Sequence, residues 1–239
     1  LHFILLIINI LHQKKIQKKL INFTFSNLKP KSLTNKLSST LNPIGIIILA
    51  AGASRRMGTP KQLLKIDNQT LIERAIDLTQ ALDNQQTVVV LGANAEKISP
   101  YITQQATVEV IINENWEQGM GTTLKKGVEF FLAKPITYDA IIIMVCDQPY
   151  LTTKKLRELI AAYRDNNVAI IATIYNNIKG VPALFANSLF GKLKTLNKDE
   201  GARKIIKNYK GEIITIDFPE GIFDLDTPAT YQEFLKQQL

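Results

Sequence analysis

The residues able to do chemistry in this 239-residue chain are carboxylates at the ends of apolar runs and a small-residue loop followed by cations. The loop runs Ala50-Ala51-Gly52-Ala53-Ser54-Arg55-Arg56-Met57-Gly58-Thr59-Pro60-Lys61. Gly52 and Gly58 permit positive φ and close backbone approach, so successive N–H groups can cradle an anion while Arg56 and Lys61 neutralise it. It is neither a P-loop, since Gly58 is followed by Thr59-Pro60, nor a GxGxxG turn. The alternative is a surface turn with solvated cations. Asp147 follows the apolar run Ile141 to Val145, which places its carboxylate at a sheet rim. A lone carboxylate there suits Mg²⁺, a hard cation bound through one or two carboxylates plus phosphate oxygens. Its other reading is a cap for the helix after Pro149, although Thr152 and Thr153 are better placed for that. Asp224 and Asp226 flank Leu225, so an extended segment turns both carboxylates to one side. Asp226, before Thr227-Pro228, also reads as the N-cap of a last helix.

These residues need a scaffold, and composition narrows it. The chain is 46% hydrophobic and 21% charged, an ordinary globular balance that excludes wholesale disorder. Its one cysteine, Cys146, excludes an internal disulfide framework and a cysteine zinc cluster, and reads as a buried small hydrophobe. The two histidines are His2 and His12, so beyond Gln13 neither a histidine triad nor a histidine metal site is available. Chemistry rests on carboxylates, Lys, Arg and backbone groups. Seven of the 29 basic residues and none of the 21 acids fall in residues 1–43, so the excess charge belongs to that stretch and no nucleic-acid-binding body is indicated. Residues 1–43 read as an over-extended reading frame or a non-Met start, the first methionine being Met57. The alternative is a membrane-surface anchor, since the apolar run Leu1 to Leu11, too short to span a bilayer, lies beside a Lys-rich stretch.

From Pro43 onward, strand-length apolar runs alternate with amphipathic stretches. Ile44–Leu49, Thr87–Leu91, Val108–Ile112, Ala140–Val145 and Val168–Ile174 read as buried strands, with Val181–Phe185 and Glu212–Ile216 as further ones. Thr70–Leu82, Thr122–Leu132, Thr152–Arg164 and Thr227–Leu239 read as helices. The alternation predicts one α/β domain over 44–239 with a mainly parallel sheet. Ligands of such sheets bind beyond the carboxyl ends of the strands, where the first loop, Gly92-Ala93-Asn94, Trp116 to Thr123 and Cys146 to Pro149 all fall.

LAAGASRRMG…K (Leu49 to Lys61), WEQGMGTTLKKG (Trp116 to Gly127), CDQP (Cys146 to Pro149), KGVPALF (Lys179 to Phe185), DEGAR (Asp199 to Arg203) and DLDTP (Asp224 to Pro228) occur in this order. Together, over about Ile44 to Leu239, they resemble the MobA-like nucleotidyltransferases, and within them the molybdenum cofactor cytidylyltransferases. The resemblance implies a three-layer Rossmann-like α/β fold and transfer of CMP from CTP to the phosphate of molybdopterin, with release of pyrophosphate. It implies nucleotide contacts at Leu49, Ala50, Ala51, Gly52, Ala53, Ser54, Arg55, Gly58, Gly92, Gly119, Gly121 and Thr122. It assigns catalysis to Arg56, Lys61, Asp147 and Asp226, with Mg²⁺ on Asp147 and Asp226. Gly119 to Thr123 would offer free helix N–H groups to ribose or base oxygens; the plainer reading is a cap at Thr122 or Thr123, with Trp116 as core filler. Gly180, Pro182, Asp199 and Arg203 would see the acceptor, Arg203 through its phosphate, although an exposed helical Arg is commonly just solvated.

The same resemblance implies a cytoplasmic enzyme that hands its product to a molybdoenzyme of the xanthine dehydrogenase type, with neither nucleic acid nor membrane as partner. Two positions depart from the family pattern: Lys198 stands where Gly commonly precedes the Asp, and Val181 where His often precedes the Pro. Both lie on the acceptor half. Alternatives are a guanylyl transferase, a sugar- or alditol-phosphate nucleotidyltransferase, a non-catalytic escort of cofactor, and a nucleic-acid binder driven by the basic stretch.

Overall fold

A computed structural model describes residues 42–83, 85–102 and 108–237, so the expectation for residues 1–43 falls almost wholly outside the described residues. In chain order the elements are β1 (Ile44–Ala50), β2 (Lys65–Ile66), β3 (Gln69–Thr70), α1 (Leu71–Gln80), β4 (Gln86–Leu91), α2 (Ala95–Ile98), β5 (Val108–Ile112), α3 (Met120–Leu132), β6 (Ala140–Val145) and α4 (Thr153–Asp165). Then come β7 (Ile170–Tyr175), β8 (Ile178–Ala186), α5 (Phe190–Lys194), α6 (Ala202–Asn208), β9 (Ile213–Asp217) and α7 (Pro228–Gln237).

Seven strands form one sheet in the order β5-β4-β1-β6-β8-β7-β9, while β2 and β3 make a separate small ribbon. β8 alone runs against its neighbours; the other strands of the sheet share one direction. The mainly parallel sheet is therefore as expected, with one reversed strand that the apolar run of β8 does not reveal. β8 also carries an irregularity, because Ala172 pairs with Ala183 but Thr173 pairs with Gly180, which leaves Val181 and Pro182 looped out.

Strand periodicity explains the layers. Ile46, Ile48, Val89, Ile142 and Met144 point to one face, where Ile72 and Ile76 of α1 and Leu156 and Leu159 of α4 cover them. Ile47, Val88, Val90, Ile141 and Ile143 point to the other, beneath Leu124, Val128 and Phe131 of α3, Leu193 of α5 and Ile206 of α6. Burial on both faces is why these strands read as unbroken Ile/Val runs. α1 begins with a capping box, Thr70 with Glu73, and Thr152 caps α4 by accepting the Lys155 N–H, as its position suggested. Leu225 and Phe234 of the last segment join Ile66 and Leu71 in a third apolar cluster. Among the described residues no helix is long and apolar enough to cross a membrane.

Candidate active site

β1 delivers the small-residue loop to the rim formed by the carboxyl ends of the parallel strands. The loop is braced by a side chain that sequence reasoning missed. Gln62, 1% exposed, donates from Nε2 to Ala50 O (2.8 Å) and Gly52 O (3.1 Å). Ser54 Oγ donates to Gln62 Oε1 at 3.4 Å and accepts the Lys61 N–H at 3.0 Å. Met57 and Gly58 both give their N–H to Ser54 O, which closes the turn. The N–H groups of Gly52, Ala53, Ser54 and Arg55 have no hydrogen-bond partner among the described residues, as an anion cradle requires. The positive φ values fall at Ser54 (+53°) and Gly58 (+77°); Gly52 does not adopt one. A Cβ at Gly52 would meet nothing within 4 Å, so the protein's own packing does not require a glycine there.

The carboxylates converge on this loop. Asp147, at the end of β6, and Asp226, just before α7, both bond the Lys61 ammonium: Asp147 through Oδ2, and Asp226 through Oδ1 at 2.7 Å. Arg56 Nη2 holds the other Asp226 oxygen at 2.6 Å. A backbone bond from Leu225 N–H to Asp147 O (3.0 Å) ties the two segments together. Asp226 is therefore not the cap of α7; Thr227 and Thr230 exchange reciprocal N–H to hydroxyl bonds there at 3.2 and 3.1 Å. Asp147 Oδ1 is buried and has no partner among the described residues.

The electrostatics follow from this packing. Burial lowers the Lys61 ammonium's affinity for its proton, but the Asp147 and Asp226 carboxylates outweigh it and the net shift is upward. Burial pushes Asp226 up, while Lys61 and Arg56 pull it further down, so it is held below the usual carboxylate range. Asp224 meets solvent along part of its surface, yet partial burial and repulsion from Asp147 and Asp226 push it up to about 7. Burial, then Asp147, drive the Cys146 thiol up to about 12, so it is an inert core group.

The loop, Lys61 and Asp147 border a cavity of about 420 Å³, and Arg56, Gly58 and Asp226 lie outside its lining. Of the residues singled out from sequence, Leu49, Ala50, Ala51, Gly52, Ala53, Ser54, Arg55, Lys61, Gly119 and Asp147 line it. Trp116 lines it too, half-buried, and so is a cavity wall and not core filler. Gly92 does not line the cavity; a Cβ there would lie 2.5 Å from Trp116 Cβ, so its smallness seats the tryptophan. α3 starts without a threonine cap. Its N-cap is Gly119 at φ +110°, and Thr122 Oγ1 donates to Gly119 O (2.9 Å) and Asn115 O (3.0 Å) on the far side. Gly121 is occupied as well: its N–H goes to Lys198 O at 2.9 Å, and a Cβ would sit 2.1 Å from Asn197 O. Gly121 and Thr122 thus dock the 197–200 turn and the 113–115 segment, and neither lines the cavity.

The acceptor set is dispersed. Gly180 lies under Tyr175, whose hydroxyl would be 2.1 Å from a Cβ, and Pro182 is buried in the irregularity of β8 after a cis peptide bond. Asp199 packs its Oδ1 against Gly119, and Arg203 is exposed on α6. None of the four lines the cavity. Gln148, also missed, holds this side together by donating to Val181 O (3.2 Å) and Gly221 O (2.9 Å). Its sequence signal is faint: one amide after a carboxylate.

Comparison with known proteins agrees with this geometry. The chain is 27% identical over 196 residues to the purine catabolism protein PucB of Bacillus subtilis, covering 77% of this chain and 92% of that protein. It is 27% identical over 180 residues to nicotine blue oxidoreductase of Paenarthrobacter nicotinovorans, covering 72% and 85%. The crystal structure of Rv0371c from Mycobacterium tuberculosis H37Rv shares the fold with a TM-score of 0.70 at 25% identity, over 82% of this chain and all of that one. Residues 46–213 match the MobA-like NTP transferase domain, a span that runs from β1 into β9 and holds the loop, Lys61 and Asp147. The chain belongs to the MobA-like NTP transferase family.

Proposed function

We propose that this nucleotidyltransferase moves CMP from CTP to the phosphate of molybdopterin and releases pyrophosphate, in the cytoplasm, for delivery to a molybdoenzyme of the xanthine dehydrogenase type. The observation that carries the chemistry is the meeting of Asp147 and Asp226 on one ammonium at the mouth of a loop-lined cavity. The cavity takes the nucleotide, with its triphosphate over the unpaired N–H groups of Gly52 to Arg55. Arg56 and Lys61 neutralise the charge that develops on the departing pyrophosphate. An acceptor phosphate oxygen attacks the α-phosphorus in line, and no residue need act as general base because a phosphate monoester is already ionised near neutral pH.

The residues fit Mg²⁺. Among the described residues Asp147 Oδ1 is a buried oxygen without a partner, and a pair of aspartates suits a cation bound through one or two carboxylates that completes its shell with water and phosphate oxygens. Asp147 and Asp226 would hold it, and it would supply Lewis-acid stabilisation of phosphate charge. Support for cytosine comes from Ala51, a buried methyl on the cavity wall where guanylyl relatives usually carry a second Gly. The test is pyrophosphate release from each of the four NTPs with molybdopterin and Mg²⁺. Release with CTP above the others is expected; equal use of GTP would reassign the base, and no release with any NTP would overturn the reading.

A further inference from the structure

Lys61 has two destinations, and the structure shows it in one of them. Its backbone is pinned, because Ser54 Oγ accepts its N–H and the adjacent Gln62 is locked to the loop carbonyls. The ammonium sits at the end of a flexible four-carbon stem, 19% exposed, and lines the nucleotide cavity. It lies between the two carboxylates that would hold a metal, and Arg56 occupies the remaining oxygen of Asp226. Two unit positive charges thus balance two carboxylates, the same charge that one divalent cation would bring.

We infer that Lys61 is a placeholder for the metal, so that this chain takes up the divalent cation as the metal–nucleotide complex and not as the free ion. The inference rests on the metal-dependent nucleotidyl transfer proposed above. A free ion must displace an ammonium that is already bonded to both carboxylates, and must leave that ammonium partly buried without a counter-charge. A metal–triphosphate complex removes the difficulty. Its phosphate oxygens would offer Lys61 and Arg56 new partners on the loop side, which would free Asp147 and Asp226 to hold the cation. Each charge stays paired through the exchange, and Lys61 arrives where pyrophosphate departs. Until then the ammonium holds the two carboxylates together against their mutual repulsion.

The experiment follows Mn²⁺ by the electron paramagnetic resonance of the free ion. Mn²⁺ is titrated into the full chain, alone and with CTP, after correction for Mn–CTP formed in solution. Wild type should bind Mn²⁺ alone at least about tenfold more weakly than it does with CTP present. Lys61→Met, which keeps length and removes charge, should tighten binding of Mn²⁺ alone by about tenfold or more, and Asp147→Asn in that background should abolish the gain. Lys61→Arg should stay at the wild-type value. Mn²⁺ alone binding to wild type as tightly as with CTP, or equally to wild type and Lys61→Met, would overturn the placeholder. The wild-type comparison decides the matter even where Lys61→Met fails to fold. Pyrophosphate release by wild type is measured in parallel. Its persistence alongside a negative Mn²⁺ result removes the placeholder and leaves the transferase, whereas its absence from every NTP removes the transferase reading itself.

Discussion

Asp147→Asn and Asp226→Asn, alone and together, probe whether the two carboxylates act as one unit. Each substitution keeps size and removes one negative charge. Asp147 is the deeper of the two, its side chain 11% exposed against 32% for Asp226, and it alone has an unpartnered oxygen. Removing one preorganised electrostatic group from a water-poor site costs about 10²–10³ in rate. Asp147→Asn should fall at or above the top of that range and Asp226→Asn near the bottom, read as pyrophosphate release at saturating CTP. Independent sites would multiply these to about 10⁵ in the double variant. Residues serving one cation should not multiply, so the double variant should lie within about tenfold of Asp147→Asn. Folding should survive. Asp226→Asn breaks partly exposed pairs with Arg56 and Lys61, on the order of 1 kcal/mol, which for a domain of this size moves the thermal midpoint by about 2–4 °C. Asp147→Asn breaks a largely buried pair with Lys61, and should cost up to about 3–5 kcal/mol with a correspondingly larger shift. A fully multiplicative double variant would refute the shared site, and a midpoint collapse in either single variant would show that the loss of rate is a loss of fold.

Four further outcomes follow from the same geometry. Ala51→Gly opens the wall beside Gly92 and Trp116, and should shift the CTP-to-GTP ratio of kcat/KM toward GTP by about tenfold or more; an unchanged ratio removes Ala51 from base selection. Gly121→Ala drives a methyl to 2.1 Å from the Asn197 carbonyl, so overpacking of about 1–3 kcal/mol should lower the thermal midpoint, whereas Gly52→Ala, which meets nothing, should leave the midpoint unchanged. Cys146, pushed up to about 12 by burial and then by Asp147, should resist a thiol reagent in the native chain at about pH 8 and react fully in denaturant; rapid native labelling would contradict its packing. Asp226 is held below its ordinary value, so its ion pairs stabilise the fold above the usual carboxylate range, and that stabilisation is lost as pH falls through the depressed value. The midpoint advantage of wild type over Asp226→Asn should therefore shrink between about pH 7 and pH 3; an advantage that holds constant would refute the assignment.

Much of this molecule is legible in its residues because its strands are buried on both faces. Ile44 to Ala50 and Ala140 to Val145 are continuous apolar runs, so the end of each run marks the rim, and the loop and Asp147 are found by reading one step further. The rest depends on pairings that spacing does not encode. β8 is as apolar as its neighbours, and its reversal comes from the short Asn176-Asn177 connection to β7, both residues at positive φ, which the composition alone left unread. Lys61 was legible as a cation near a phosphate but not as the partner of two aspartates, because Asp226 reaches it only through the fold. Gln62 was invisible for the opposite reason: an amide beside a lysine looks like surface, and only its burial shows that it braces the loop. The glycines of the third segment were read as a class, yet Gly119 borders the cavity while Gly121 receives the 197–200 turn.

The bond between Leu225 N–H and Asp147 O joins two carboxylate-bearing segments that belong to different parts of the chain. The seven-stranded sheet is complete once β9 is laid down at Asp217, and with it the loop, its Gln62 brace and the first carboxylate. The second carboxylate belongs to a clasp, residues 218–237, whose own small apolar cluster of Leu225 and Phe234 closes over Ile66 and Leu71. The segment is tied to the sheet at its start, where Phe218 joins the main core and Gln148 holds Gly221 O, so the position of Asp226 beside Lys61 depends on both parts of the chain. A chain cut before this segment would keep the small-residue loop, Lys61 and Asp147 but lose the second carboxylate that meets Lys61.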